Sequence, residues 1–337
     1  MKALSCTSPR NFEYTLIDKP VLLPGKTLLK VDRVGVCGTD LHAFEGSQPY
    51  FSYPRILGHE LALTIIETTA EGFSVGESVT IIPYFNCGAC IACRMGKPNC
   101  CIELAVFGVH IDGGMCEYIL VSNDYLVHGE GLSLESLALV EPLAIGAHGV
   151  RRANIQKDET VLILGAGPIG LGVIAFAKNA GAKIIVLDIN EYRLNFCRTA
   201  LGITDLVNAA TENAIEKIKT ITHQDMPTTI IDATGNLRAI NEGFSYLAHG
   251  GKYVLVGLQK ENISVSHPEF HKREATLISS RNATREDFEL VIAAIKMGSI
   301  NPLDFITHRV PFNEVADNFE SWLDPQNHVI KAMISFK

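Results

Sequence analysis

Residues 161–188 read VLILGAGPIGLGVIAFAKNAGAKIIVLD, and this segment constrains the fold more than any other part of the chain. An apolar run is followed at once by glycines spaced as G-x-G-x-x-G, then by an apolar helical stretch, and then by a second apolar run that ends in an acid. A strand that turns tightly into a helix and returns as a parallel strand satisfies every part of this pattern. The segment therefore predicts a βαβ unit within a parallel sheet.

The sequence that follows continues the same alternation. Short apolar runs recur between helical stretches, namely TTIIDAT at 228–234, KYVLVG at 252–257 and ATLISS at 275–280. Continuous apolar strands separated by helices are typical of a parallel sheet that is covered on both faces. Residues before about 143 instead show strand and loop patterns, and 337 residues exceed one typical domain. We therefore predict an α/β fold of two domains.

The glycines indicate a dinucleotide site. Gly165 permits the tight turn, Gly167 lets the backbone approach a pyrophosphate, and Gly170 lets the helix pack closely. Asp188 stands 23 residues after Gly165, near the distance expected for a carboxylate that bonds ribose hydroxyls, and it would repel a 2′-phosphate. A tight turn without a ligand is the alternative, but the combined pattern favours NAD over NADP. Arg193 either stacks on the adenine or is a solvated helix charge. The predicted cofactor contacts are Gly165, Gly167, Pro168, Ile169, Gly170, Asp188 and Arg193.

Composition and charge argue against several classes of protein. The net charge is −8 and the basic residues are scattered, which disfavours a nucleic-acid partner. The first residues lack the apolar stretch of a signal peptide, and no run approaches the roughly 18 apolar residues of a membrane span. Nine cysteines, an odd number, do not suit a disulfide framework. We expect a cytoplasmic protein, with no membrane partner, whose thiols stay reduced.

Five of the nine cysteines lie within residues 85–101, FNCGACIACRMGKPNCC. Cys87, Cys90 and Cys93 are separated by two residues each, and Cys101 follows after seven, so four thiolates can surround one tetrahedral zinc ion. A redox pair would need only two cysteines at a helix N-terminus. By spacing we choose Cys101 and leave Cys100 as a spare thiol. Four thiolates leave no open coordination position, so this zinc is predicted to be structural.

A second group of metal donors is spread over three segments. It comprises Cys37, Thr39 and His42 in VGVCGTDLH, His59 and Glu60 in ILGHE, and Glu141 in LVEPLAIGAH. Singly, each residue has an ordinary structural explanation, such as core packing for a cysteine or a surface turn for a glutamate before proline. Together, a thiolate, an imidazole and carboxylates form the kind of mixed set that binds zinc while keeping one position free.

These motifs resemble those of the zinc-dependent medium-chain alcohol and polyol dehydrogenases over nearly the whole chain. The resemblance implies a GroES-like β-rich catalytic domain, residues 1–142 and 282–337, and a Rossmann NAD-binding domain with a doubly wound parallel sheet, residues 143–281. It implies NAD and two zinc ions per chain, one catalytic and one structural. By analogy with relatives that associate through the nucleotide domain, it also implies a homodimer or homotetramer.

The resemblance assigns roles to the second group of donors. Cys37 and His59 resemble catalytic zinc ligands. Glu60 resembles the acidic position of the polyol-type enzymes, which binds zinc directly or exchanges with water. Glu141 stands where ethanol-type enzymes carry a second cysteine ligand, and a glutamate there resembles the sorbitol and threonine dehydrogenase branch. Glu141 would then lie on the zinc or one water beyond it.

The resemblance also implies a mechanism. Zinc lowers the pKa of bound water from 15.7 to about 7, and a bound alcohol should respond similarly. The substrate alcohol is therefore expected at the open zinc position, with hydride passing from its carbon to NAD. In relatives the released proton leaves through a hydroxyl and an imidazole, whose positions Thr39 and His42 match.

The substrate prediction depends on polar residues. Arg281 and Asn282 in SSRNATRED stand where polyol dehydrogenases hold their substrate, and Arg281 would suit a hydroxyl or a carboxylate. Otherwise Arg281 is a surface arginine at a domain junction. His110 in FGVHIDGG is a further candidate for the same cleft. We predict an oxidoreductase that oxidises a secondary hydroxyl of a polyol or a hexonate. The alternatives are L-threonine or a simple alcohol as substrate, a zinc-free quinone or enoyl reductase, and a non-catalytic NAD- or zinc-binding regulator.

Overall fold

The computed structural model describes residues 1–48 and 51–336. The chain divides into two compact units: unit 1 comprises residues 1–142 and 284–337, and unit 2 comprises residues 143–283. The first junction falls inside a helix, and the second lies two residues beyond the limit expected from the sequence. Across the described ranges, no helix combines the length and the apolarity that crossing a membrane requires.

The first segment of unit 1 is rich in strands. Its strands are β1 (Lys2–Ser8), β2 (Asn11–Leu16), β3 (Lys26–Val36), β4 (Arg55–Ile56), β5 (Glu60–Thr68), β6 (Ser78–Ile81), β7 (Tyr84–Phe85), β8 (Ala105–Val106), β9 (Tyr118–Ser122) and β10 (Leu126–His128). The helices that begin in this segment are α1 (Gly38–Glu45), α2 (Ile91–Arg94), α3 (Leu134–Ala138) and α4 (Val140–Ala153).

Unit 2 alternates strands and helices, as the sequence predicts. Its strands are β11 (Thr160–Leu164), β12 (Lys183–Asp188), β13 (Asp205–Asn208), β14 (Thr229–Asp232), β15 (Lys252–Leu255) and β16 (Thr276–Ser279). Its further helices are α5 (Pro168–Asn179), α6 (Glu191–Leu201), α7 (Ala214–Ile221), α8 (Leu237–Gly243) and α9 (His267–Lys272). The chain then returns to unit 1 with α10 (Arg285–Lys296), β17 (Ile306–Pro311), α11 (Val315–Asn318) and β18 (Lys331–Ser335).

The larger sheet of unit 1 is built around β3. Its strand order is β10-β6-β5-β3-β18-β17, and β9 also pairs with β3. Both β5 and β18 run antiparallel to β3, one on each side of it. The last strand of the chain therefore completes a sheet that the first segment begins, and apolar residues of both segments, such as Leu61 and Ile334, share one buried core.

The sheet of unit 2 is parallel throughout, with the order β13-β12-β11-β14-β15-β16. The order reverses direction between β11 and β14, and in doubly wound sheets ligands bind at this point, beyond the carboxyl ends of the strands. The predicted Rossmann fold is confirmed. Strand β13 was not predicted, because its four residues begin with an aspartate and end with an asparagine and so contain no apolar run.

Candidate active site and metal centres

Three of the predicted catalytic donors, Cys37, His59 and Glu60, meet at the junction of β3 and β5. Cys37 follows the last residue of β3, and His59 directly precedes Glu60, the first residue of β5. Since Gly35 and Glu60 are opposite each other in these paired strands, the three side chains converge. One donor atom from each lies within 4.8 Å of the others. A thiolate, an imidazole and a carboxylate at such separations fit a zinc ion.

The imidazole of His59 faces a buried carboxylate that was not predicted from the sequence. Asp40 accepts hydrogen bonds from the Cys37 amide at 2.9 Å and from the Gly58 amide at 3.0 Å. Its Oδ1 lies 3.8 Å from Nδ1 of His59. Burial alone lowers the pKa of His59, but Asp40 and a hydrogen bond with Cys37 raise that pKa well above its ordinary value. Asp40 is therefore placed to orient the ring, as acidic partners of metal-ligating histidines do.

The Glu60 carboxylate has a cationic partner. Lys331, at the start of β18, donates from Nζ to Oε1 of Glu60 at 2.6 Å and to Oε2 at 2.7 Å. Both side chains are buried. Glu60 is thus both a candidate metal donor and one half of a buried ion pair.

Glu141 lies in the first turn of α4 and is buried. It is not a member of the donor group within 4.8 Å. The hydroxyl of Tyr84, on β7, donates a hydrogen bond to Oε1 of Glu141. Burial raises the pKa of Glu141 to about 7, and the nearby His59 opposes this shift. Tyr84, which was not predicted as a site residue, therefore holds the Glu141 carboxylate near the three donors but outside their group.

Thr39 and His42 lie three residues apart on α1, which begins directly after Cys37. Residues at this spacing share one face of a helix. Thr39 is half-buried and His42 is exposed. A path from Thr39 to His42 therefore leads from the neighbourhood of the donors to solvent.

The four cysteines predicted to bind the structural zinc, Cys87, Cys90, Cys93 and Cys101, surround one point. We call residues 86–103, which carry them, the lobe. The Sγ–Sγ distances are 3.5 Å from Cys90 to Cys93, 3.8 Å from Cys90 to Cys101 and 3.5 Å from Cys101 to Cys87. A tetrahedral zinc ion with Zn–S bonds of about 2.3 Å requires sulfurs about 3.8 Å apart, whereas a disulfide would require about 2.05 Å. The geometry therefore fits a metal. Cys100 is exposed and lies outside the group.

Hydrogen bonds to the sulfur atoms favour thiolates in this lobe. The amides of Cys87 and Glu103 donate to the Cys101 sulfur at 3.3 and 3.4 Å. The Asn86 side chain donates to Cys93 at 3.4 Å. Hydrogen bonding from the backbone lowers the pKa of Cys90 to about 6. Zinc binds the thiolate form of cysteine, so the lobe is prepared for it.

In unit 2, each glycine of the G-x-G-x-x-G motif has a distinct steric role. Gly165 adopts φ +95°, and a Cβ atom there would lie 2.8 Å from Cγ2 of Thr234. Gly167 is the N-cap of α5, with Pro168 at the first helical position. A Cβ atom at Gly170 would overlap the carbonyl oxygen of Gly165. The turn therefore requires glycine at 165 and 170, and it leaves the backbone at 167 accessible to a ligand.

The close approach at Gly170 leads to a prediction. We expect Gly170→Ala to cost about 1–3 kcal/mol of stability, as overpacking does, and to weaken dinucleotide binding. Gly172→Ala is the matched control on the same helix, because its Cβ atom would meet nothing closer than 3.6 Å. Within a helix, alanine is more favourable than glycine by about 1 kcal/mol. Thermal denaturation and a cofactor titration measure both effects. Equal stability of the two variants would contradict the steric role of Gly170.

Asp188 ends β12 beside this turn. Its Oδ2 accepts a hydrogen bond from the amide of Ala166 at 2.6 Å, and its Oδ1 accepts one from the amide of Asn190 at 2.8 Å. The carboxylate thus fixes the glycine turn and, with about four acceptor sites, keeps capacity for ribose hydroxyls. A Cβ atom at Gly167 would lie 3.7 Å from Nη1 of Arg193. The Arg193 side chain therefore extends over the turn.

The predicted substrate residues are placed as follows. Arg281 is exposed and Asn282 adopts φ +52°, both in the segment that follows β16 in unit 2. His110 is exposed in unit 1, and its Nδ1 accepts a hydrogen bond from the Val106 amide at 3.0 Å. Their role in substrate binding stays a prediction.

Two family models match the chain. The alcohol dehydrogenase GroES-like domain matches residues 23–131, and the zinc-binding dehydrogenase domain matches residues 168–297. The L-galactonate-5-dehydrogenase of Escherichia coli strain K12 is 40% identical over 338 residues, which cover 100% of this chain and 99% of that enzyme. The chain belongs to the zinc-type medium-chain alcohol and polyol dehydrogenase family. This membership confirms the predicted family, the fold class, and zinc as the metal of the family.

Other members extend the comparison. The sorbitol dehydrogenase of Bacillus subtilis strain 168 is 29% identical over 344 residues, 99% of this chain and 97% of that enzyme. The crystal structure of the alcohol dehydrogenase rspB from Escherichia coli CFT073, complexed with NADH, superposes with a TM-score of 0.92 at 31% identity, covering 100% of this chain and 99% of that one. The protein is thus a dehydrogenase of the zinc type.

Proposed function

We propose that this dehydrogenase oxidises a secondary hydroxyl of a hexonate, at carbon 5 of L-galactonate or a close relative, with NAD as the hydride acceptor. The observation that carries the proposal is the end-to-end 40% identity with an L-galactonate-5-dehydrogenase. Polyols such as sorbitol are the second candidate class, supported by the 29% identity with a sorbitol dehydrogenase. The donor set at β3 and β5 fits the zinc that either reaction needs.

The residues of unit 1 divide the catalytic work. Cys37 and His59 would hold the catalytic zinc, with Glu60 or Glu141 as the carboxylate nearby. When bound, zinc supplies a Lewis acid that makes an alcohol easier to deprotonate. Thr39 would accept the proton of the substrate hydroxyl and pass it to His42, which is exposed and releases it to solvent.

The residues of unit 2 would hold the cofactor. The N-terminus of α5, opened by Gly165, Gly167 and Gly170, would bind the pyrophosphate, with Pro168 and Ile169 beside it. Asp188 would accept hydrogen bonds from the ribose hydroxyls and repel a 2′-phosphate, which supports NAD. Arg281 and Asn282 are proposed contacts of the polar substrate, and His110, in unit 1, is a separate candidate for that role.

We also propose a cytoplasmic homodimer or homotetramer. All nine cysteines lie in the described ranges, and none forms a disulfide there, in agreement with a reducing compartment. Strand β16 ends the six-stranded sheet, and most of its residues are exposed. An unpaired sheet edge of this kind is a template for pairing with a second copy.

A substrate panel tests the proposed function. Nicotinamide absorbance is followed with L-galactonate, other aldonates, sorbitol, L-threonine and ethanol, each with NAD and with NADP. We expect kcat/KM for L-galactonate to exceed that for sorbitol by at least about tenfold, a transition-state difference of about 1.4 kcal/mol, and NAD to be preferred. Faster oxidation of sorbitol or threonine would transfer the assignment to that substrate, and no reduction of either cofactor by any alcohol would refute it.

A further inference from the structure

Lys331 is a buried lysine whose three donor positions are all used within the protein. Its side chain is 3% exposed, and that of Glu60 is 0% exposed. Nζ bonds both carboxylate oxygens of Glu60 and also the carbonyl oxygen of Val36, the latter at 3.1 Å. An ammonium group has three N–H donors, so every one of them has a partner. The lysine is therefore fixed at a single position.

The sheet is shaped to allow this pair. Glu60 is on β5 and Lys331 is on β18, and β3 runs between those strands. Gly35 of β3 is opposite Glu60, and a Cβ atom at Gly35 would overlap Oε2 of Glu60. Glycine at this position thus leaves the space in which the glutamate side chain crosses β3 to reach the lysine. The pair joins three strands beside Cys37 and His59.

A buried carboxylate is strongly unfavourable without a cation beside it. In the described structure Lys331 supplies that cation. The same carboxylate also belongs to the group of three donors that fits a metal ion. Two cations of different kinds, the ammonium and the metal, are therefore placed to use one carboxylate, and binding of Glu60 by either weakens its binding by the other.

We propose that Lys331 is a positioning residue that competes with the catalytic metal for the Glu60 carboxylate, stabilising the metal-free site and limiting how tightly the metal is retained. The inference rests on the proposed metal site at Cys37 and His59. If the ion pair were purely structural, removing the lysine would not strengthen metal binding. Competition for the carboxylate predicts that it does.

The test is the release of zinc to an excess of chelator from full-length protein. The release phase that Cys37→Ser lacks is assigned to the catalytic site. We expect Lys331→Met to slow this phase by about tenfold or more, at the lower end of the effects that neighbours of metal ligands have on affinity. Metal removal should also lower the midpoint of thermal unfolding further in Lys331→Met than in the unchanged protein. Lys296→Met, which breaks the exposed pair between Lys296 and Glu130, is the matched control and should change neither quantity.

A double-mutant cycle assigns the effect to Glu60. In a Glu60→Gln background, Lys331→Met should no longer slow release, because no charged carboxylate is left to compete for. If Lys331→Met does not fold, Lys331→Gln keeps N–H donors without the charge and serves in its place. Unchanged or faster release in the variant that folds, or an effect that persists with Glu60→Gln, would overturn the inference. If zinc release from the unchanged protein shows the same phases as release from Cys37→Ser, no phase belongs to the catalytic site, and the proposed metal site fails instead.

Discussion

Cys37→Ser is expected to lower kcat by at least about 10³-fold while NAD binding is retained. Among the residues that the structure describes, the thiolate is one of three donors in the group at β3 and β5. A catalytic metal contributes several kcal/mol of transition-state stabilisation, equivalent to such a factor. The glycine turn that would bind the cofactor belongs to the other unit, so its local structure does not depend on the thiol. Steady-state kinetics and a titration with NADH measure the two quantities.

Cys116→Ser is the matched control for this experiment. Cys116 is another thiol of unit 1; it is buried, lies outside both donor groups, and donates to the carbonyl oxygen of Tyr118 at 3.3 Å. A serine hydroxyl can make the same bond, so turnover should persist. Loss of NADH binding in Cys37→Ser with full metal content would contradict the division of roles between the two units.

The second large effect is expected when a cysteine of the four-cysteine lobe is replaced. Cys101→Ser should remove one equivalent of zinc per chain and leave residues 86–103 locally unfolded. Structural zinc sites bind with about 10–16 kcal/mol in finger peptides, which matches or exceeds the whole stability of a typical protein. The zinc content measured by metal analysis should fall from two ions per chain to one, and trypsin should cleave faster after the exposed Arg94.

Cys100→Ser provides the comparison, since Cys100 is adjacent in sequence but exposed and outside the group. It should keep both zinc ions and the protease resistance of the lobe. The reverse result, with Cys100→Ser losing a zinc ion and Cys101→Ser keeping it, would exchange the two residues in the metal site.

The fold was predictable where one segment carries its own pattern. The runs that became β11, β12, β14, β15 and β16 are short, apolar and separated by helical stretches, so local sequence was enough. The lobe cysteines were predictable for the same reason, because four ligands lie within 15 consecutive residues, 87–101. Strand β13 was missed because tertiary pairing with β12 forms it without a local apolar run.

The neighbours of the donors could not be read from the sequence in the same way. Lys331 is 271 residues from Glu60, and Tyr84 is 57 residues from Glu141, so each pair exists only through the sheet and helix packing of unit 1. A lysine flanked by apolar residues in HVIKAMISF was a signal, since a lysine is almost never fully buried without a partner. Asp40 lies within C-G-T-D-L-H itself, but its contact with His59 required the chain to fold back at Gly58.

The central claim is that the metal held by Cys37 and His59 keeps one coordination position free for the substrate alcohol. Cobalt substitution at that site tests this claim most directly. The visible spectrum of cobalt responds to a new ligand. We predict that L-galactonate changes the spectrum of the substituted protein, and that the change is absent when Cys37→Ser is treated in the same way. A spectrum that stays unchanged at substrate concentrations that saturate turnover would contradict binding of the alcohol at this metal.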